Sequence, residues 1–146
     1  MAGTLFEEQF EIKETSKKFD KVTRLHCRLV DEAYELQLDL DINSDLFPLE
    51  VGQRFAFLLV STLAIDGAVD SGKWDQSSQP SLLDQYEYAM YGKIYKWKQD
   101  NTKAPSEIFV SFGGLLMRLK GDARHLQKLK LDARIYMLMR KISKDS

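Results

Sequence analysis

The chain has 146 residues, 44% hydrophobic and 29% charged, enough length and apolar content for one domain with an ordinary core. No apolar run nears the roughly 20 residues that a membrane-crossing helix needs, and no basic stretch leads into an apolar one near the N-terminus, so neither a span nor a signal peptide is expected. Net charge is −1, but residues 1–84 hold 8 basic and 16 acidic side chains and residues 85–146 hold 13 and 6; the expectation is that the two halves interleave in space and their charges mix.

In chain order, Leu5 to Glu14 carries Phe6, Phe10 and Ile12 and reads as a first strand, followed by a polar turn, TSKKFDK. Lys21 to Val30 and Tyr34 to Ile42 read as a hairpin. In the second of these, Tyr34, Leu36, Leu38, Leu40 and Ile42 alternate strictly with Glu35, Gln37, Asp39 and Asp41. That pattern places one face on a core and the other in water. After the break at Pro48 and Gly52, Phe55 to Leu63 is nearly all apolar and is expected as a buried strand. Asp66 to Gln85 has loop composition, and about twenty such residues suggest a flexible or partner-binding loop. Tyr86 to Lys98 is an aromatic-rich strand, with Gly92 as an expected bend.

The stretch FVSFGGLLMRLKGD, Phe109 to Asp122, changes the parity of its inward face at Gly113-Gly114. Ile108, Val110 and Phe112 share one face before the pair, and Leu115, Met117 and Leu119 share one after it. Either a bend or bulge in one strand, or a two-residue hairpin turn between two strands, produces this change. Asp122 is placed to cap a short helical turn. Leu131 to Ile142 reads as a final strand, with a helix across Ala123–Ile142 as the alternative. The whole is expected to be all-β: a single antiparallel barrel of seven or eight strands, spanning 1–146, whose closure removes sticky edges. Leu36, Leu38, Leu40, Phe57, Leu115 and Met117 are expected in its core.

Chemistry is sparse. No phosphate loop, dinucleotide fingerprint, zinc-protease motif or nucleophile elbow occurs. His26 and Cys27 are neighbours on a strand and point to opposite faces. The single cysteine excludes an internal disulfide, points to a reducing compartment, and reads as a small buried apolar residue. Asp39 and Asp41 share a face, about 7 Å apart by strand rise; an acid–base pair or a cation site is set there against a solvated outer face, which is preferred. Asp66, Asp70 and Asp75 lack the ligand spacing of an EF-hand. Tyr86, Tyr88, Tyr91, Tyr95 and Trp97 interleave with Lys93, Lys96 and Lys98, a pattern that can stack single-stranded nucleic acid, although the overall charge opposes strong binding.

Seven segments in order, LFE, KKFDKVTRLHC, LQLDLDIN, STLAIDG, EYAMYGKIY, VSFGGLLMRLKGD and RIYMLMRK, resemble one family: the small eighth subunit shared by eukaryotic nuclear RNA polymerases I, II and III. The segment before KKFD and the QDNTKAP turn are short for that family. The resemblance implies an OB-type β-barrel, a nuclear and nucleolar location, no cofactor, no small-molecule substrate, no membrane contact, and a non-catalytic architectural role docked on the largest polymerase subunit. A free-standing OB-fold protein that binds single-stranded nucleic acid is the alternative, and a hydrolase using Asp39 and Asp41 a weaker third. The partner interface is expected along Tyr86–Lys98 and Phe109–Lys120, with Tyr91, Lys93, Gly113, Gly114 and Arg118 near the contact.

Overall fold

Alternating apolar residues set the inward faces of eight strands: β1 (Thr4–Phe19), β2 (Val22–Leu29), β3 (Leu36–Asn43), β4 (Arg54–Val60), β5 (Tyr88–Lys98), β6 (Ser106–Phe112), β7 (Leu115–Gly121) and β8 (Arg134–Ile142). The structure, a computed structural model, describes residues 3–31, 33–64, 81–99 and 105–142. All the strand pairs are antiparallel, and the sheet closes in the order β1-β2-β3-β7-β6-β5-β8-β4. Among the described residues, helix is confined to two short 3-10 turns, Leu82–Gln85 and Ala123–His125; the helical alternative for 123–142 gives way to β8.

The closed order contains the same motif twice. A Greek key sets three consecutive strands side by side and returns the fourth beside the first. Here β4-β1-β2-β3 forms one such arc and β8-β5-β6-β7 the other, joined at the β3–β7 and β4–β8 seams. The strands of the two halves therefore do not interleave. Charge mixing is overturned for the described strands: β1–β4, from the acidic half, and β5–β8, from the basic half, occupy separate arcs of the barrel wall.

The core is the set expected from alternation. Leu38, Leu40 and Phe57 are fully buried, with Leu36 and Met117 nearly so, while Leu115 at the hairpin end is half-buried. Phe10 meets Phe57 edge-on at 5.6 Å between ring centroids and stacks on Phe55 at 6.1 Å. The nearly unbroken apolar run of β4 has a specific cause. Phe55, Phe57 and Leu59 face inward, while Leu58 and Val60 face outward, beside Leu138 of β8, and pack with Leu82. Leu82 belongs to the segment expected as a loop. Residues 66–80 of that segment, with Asp66, Asp70 and Asp75, lie outside the described residues. Ser81 bridges to Ala64, and its hydroxyl caps the turn by accepting from the Leu83 N–H.

Gly113-Gly114 is a hairpin turn. Phe112 pairs with Leu115, and the two glycines have φ of 64° and 104°. Positive φ at both central positions is what a two-residue turn matched to strand twist requires. A two-residue loop pairs each residue with one of opposite parity, so the inward face passes from even to odd numbers with no bulge.

Candidate functional site

The outer face of β5, β6 and β7 gathers the aromatic and basic side chains. Along β5, Gly92 and Ile94 point inward and Tyr91 and Lys93 outward. Gly92 fits because β6 is close: a Cβ there would lie 2.3 Å from the Ser111 carbonyl oxygen. The β5–β6 register then shifts between Ile94 and Lys96. This bulge turns both Tyr95 and Lys96 outward and returns the half-buried Trp97 to the core side. Tyr88, by contrast, is buried and stacks on Phe47 at 5.2 Å.

Across the sheet, Lys93 pairs with Ser111, which pairs with Leu116; one row away, Lys96 pairs with Phe109, which pairs with Arg118. The Lys96 ammonium sits 5.4 Å from the centre of the Phe109 ring, and Tyr95 lies 6.2 Å from the same ring. Tyr91 and Tyr95 are each nearly half exposed, and Leu116 is exposed beside them. Tyr91 is supported by Tyr136 at 4.5 Å. The five expected residues therefore share one region: Tyr91 and Lys93 lie beside the Gly113-Gly114 turn, and Arg118 stands further along β7. A Cβ on either turn glycine would meet no heavy atom within 4 Å, so the turn presents bare backbone to the exterior.

Arg118 has a second role. Its guanidinium reaches Asp39 at 2.8 Å across the β3–β7 seam and Glu107 of β6 at 3.5 Å on its other side, and its Nε is buried without a partner among the described residues. Asp39 also meets His26 Nδ1 at 2.7 Å, and His26 Nε2 lies 3.3 Å from the Ser16 hydroxyl. Asp41 departs from its expected solvated face, being only 4% exposed. It accepts from Arg24 Nε at 2.6 Å, Arg24 Nη2 at 3.0 Å and the Leu116 N–H at 3.1 Å. The hydrogen bond to Asp41, more than its charge, raises the Arg24 pKa. Both carboxylates are thus engaged by cations and backbone, which leaves no free acid–base pair. Among the described residues no cluster of His, Cys, Asp or Glu could hold a metal ion. Cys27 is buried, and desolvation first, with Asp39 second, raises its thiol pKa far from thiolate formation.

Arg24, on β2, was missed as the partner of Asp41, although aligning the β2–β3 hairpin places it opposite that carboxylate. Phe109 and Leu116 lie within the expected Phe109–Lys120 stretch and, by parity, on its outward face; the approach of Lys96 and Tyr95 to Phe109 was not legible, because it depends on the β5 bulge.

The model of the family described as RNA polymerase Rpb8 matches residues 7–141. The chain belongs to this family. A protein of Dictyostelium discoideum named DNA-directed RNA polymerases I, II, and III subunit rpabc3 is 46% identical over 97% of this chain and 99% of its own. An Arabidopsis thaliana protein, DNA-directed RNA polymerases II, IV and V subunit 8B, is 42% identical over 94% and 96%. The Saccharomyces cerevisiae subunit RPABC3 of polymerases I, II, and III is 34% identical over 97% and 100%. The family expected from the seven segments is thereby established, although the polymerases named for the relatives differ.

Proposed function

We propose that the chain is a non-catalytic structural subunit common to DNA-directed RNA polymerases I, II and III, of OB type, working in the nucleus and nucleolus and docked on the largest catalytic subunit. End-to-end similarity to proteins named as such subunits carries this reading. The geometry supports a docking surface at Tyr91, Lys93, Gly113, Gly114 and Arg118: exposed aromatic rings beside basic side chains are frequent interface anchors, and the glycine turn lets another backbone come close.

The test separates docking from folding. Arg118→Glu would set a third carboxylate against Asp39 and Glu107 and disturb the seam itself. Among the described residues Lys93 forms an ion pair only with exposed Asp132, at 3.6 Å, a contact contributing about 0–1 kcal/mol. Tyr91→Ala with Lys93→Glu should therefore fold normally and co-purify at least about tenfold less largest subunit in high salt, the loss that about 1.4 kcal/mol produces. Wild-type yield from the folded variant would place the docking surface elsewhere.

Exposed Tyr95, packed on half-buried Phe109 beside Lys96 and Arg118, favours one second reading, a single-strand-binding surface. A short oligo(dT) would then bind with steep salt dependence and lose affinity in Tyr95→Ala.

A further inference from the structure

β1 has 16 residues and its neighbour β4 has 7. Residues Thr4 to Glu11 pair with β4, and Phe10 to Phe19 pair with β2. On the β4 side pairing ends at Ile12, whose N–H donates to the Gln53 carbonyl and whose carbonyl accepts from the Gly52 N–H. Beyond it, Lys13 to Phe19 has β2 on one side and no strand on the other among the described residues. This open edge is about 20 Å long by strand rise. An open edge is a template for another strand.

Its side chains point to one kind of partner. Residues 1–60 hold 12 acidic and 7 basic side chains, yet Lys13–Phe19 holds Lys13, Lys17 and Lys18 against Glu14 alone, and Lys21 follows in the adjoining turn beside Asp20. Lys13 is paired with Glu11; Lys17, Lys18 and Lys21 make no ion pair among the described residues. Phe19 is 74% exposed. Lysines on an edge ordinarily deter strand addition, and here they deter a second copy, since antiparallel self-pairing would set Lys17 and Lys18 against their equivalents. They do not deter an acidic strand. An exposed phenylalanine works against simple protection and supplies the anchor that an added strand would cover.

We propose that the Lys13–Phe19 edge accepts an extended acidic segment of a partner protein as an added strand, its carboxylates against Lys17 and Lys18 and an apolar side chain against Phe19. This is strand addition with charge-set specificity, on a different arc from the β5–β7 face. It rests on the polymerase reading only for the source of the partner.

Polymerase purified through a tagged copy of this chain supplies the test. Backbone amides of 13–19 should exchange with solvent at least about tenfold more slowly than in the free chain. Carbodiimide, which joins amines to carboxylates in direct contact, should link Lys17 or Lys18 to Asp or Glu of one segment in another subunit. Lys17→Arg with Lys18→Arg should abolish the links and retain the protection; Lys17→Glu with Lys18→Glu should lose the protection. Equal exchange in complex and free chain, or links only to a second copy, overturns the proposal. Failure of the tagged chain to recover polymerase refutes the polymerase reading instead. The edge is then decided on the free chain with a short alternating Glu-Val peptide: slowed exchange at 13–19 sustains it, and equal slowing by the Lys-Val peptide, or none by either, overturns it.

Discussion

Asp41 holds three donors on two strands, two on Arg24 of β2 and one on the backbone of Leu116 of β7. It ties the glycine hairpin to the first Greek key. Removing it strands a half-buried guanidinium and a backbone N–H, and hydrogen bonds to charged groups contribute about 1.5–3 kcal/mol. Asp41→Ala is therefore expected to cost about 2–3 kcal/mol in urea unfolding, well above any exposed carboxylate. Asp122 is the contrasting case. It is exposed, yet its side-chain hydrogen bond with Arg124 first, and its bond from the Arg124 N–H next, lower its pKa from 3.8 to about 2. A depressed carboxylate stabilises the fold above its unfolded pKa, and that contribution disappears as pH falls through the folded one. The window here runs from about 4 down to about 2. Carboxyl NMR should show Asp122 titrating near 2 in the wild type and moving up in Arg124→Ala; an unchanged midpoint would deny the pairing.

Elements were legible where burial is one-sided. The strict alternation of β3 gave its inward face because one side meets the core and the other does not. β1 runs on to Phe19 through residues that look like a turn because pairing with β2, which begins at Val22 just after a tight turn at Asp20-Lys21, sustains it. β4 looked like a strand buried on both faces, and it is; what hid was the cover, since Leu82 is one of a few apolar residues scattered through a largely polar stretch. Leu82→Ala should cost about 2–5 kcal/mol, as for any buried leucine, and a melting midpoint equal to wild type would show that the segment does not cover β4. The glycine pair left bend and turn equally open because both change parity. Its positive φ values now separate the substitutions. Gly113→Asn keeps a residue suited to such turns and should be near neutral. Gly114→Val meets no steric obstacle but is strained, costing about 1–2 kcal/mol in thermal unfolding. The reverse ranking would contradict the turn.

Across the whole molecule, two Greek keys of one topology carry opposite charge and meet at β3–β7, where Asp39 and Arg118 form a 2.8 Å pair. The seam neutralises the groups that face each other, while the outer arcs keep theirs. The arc that carries Tyr91 and Lys93 is the basic one. Charged surfaces of one sign steer encounter with a complementary partner and raise association rates by about 10- to 1000-fold at low salt. Docking through this arc should therefore associate faster at low ionic strength, while dissociation, governed by the packed contacts, changes little. Lys96 and Lys98 are exposed on β5 and make no ion pair among the described residues, so Lys96→Glu with Lys98→Glu leaves the seam intact. In stopped-flow mixing with purified largest subunit, this variant should associate at least about tenfold more slowly at low salt and converge on the wild type at high salt, where charges more than about 3–8 Å apart are screened. Equal rates at low salt would mean that the basic arc does not face the partner, and that the charge division serves solubility or the acidic arc's own contacts.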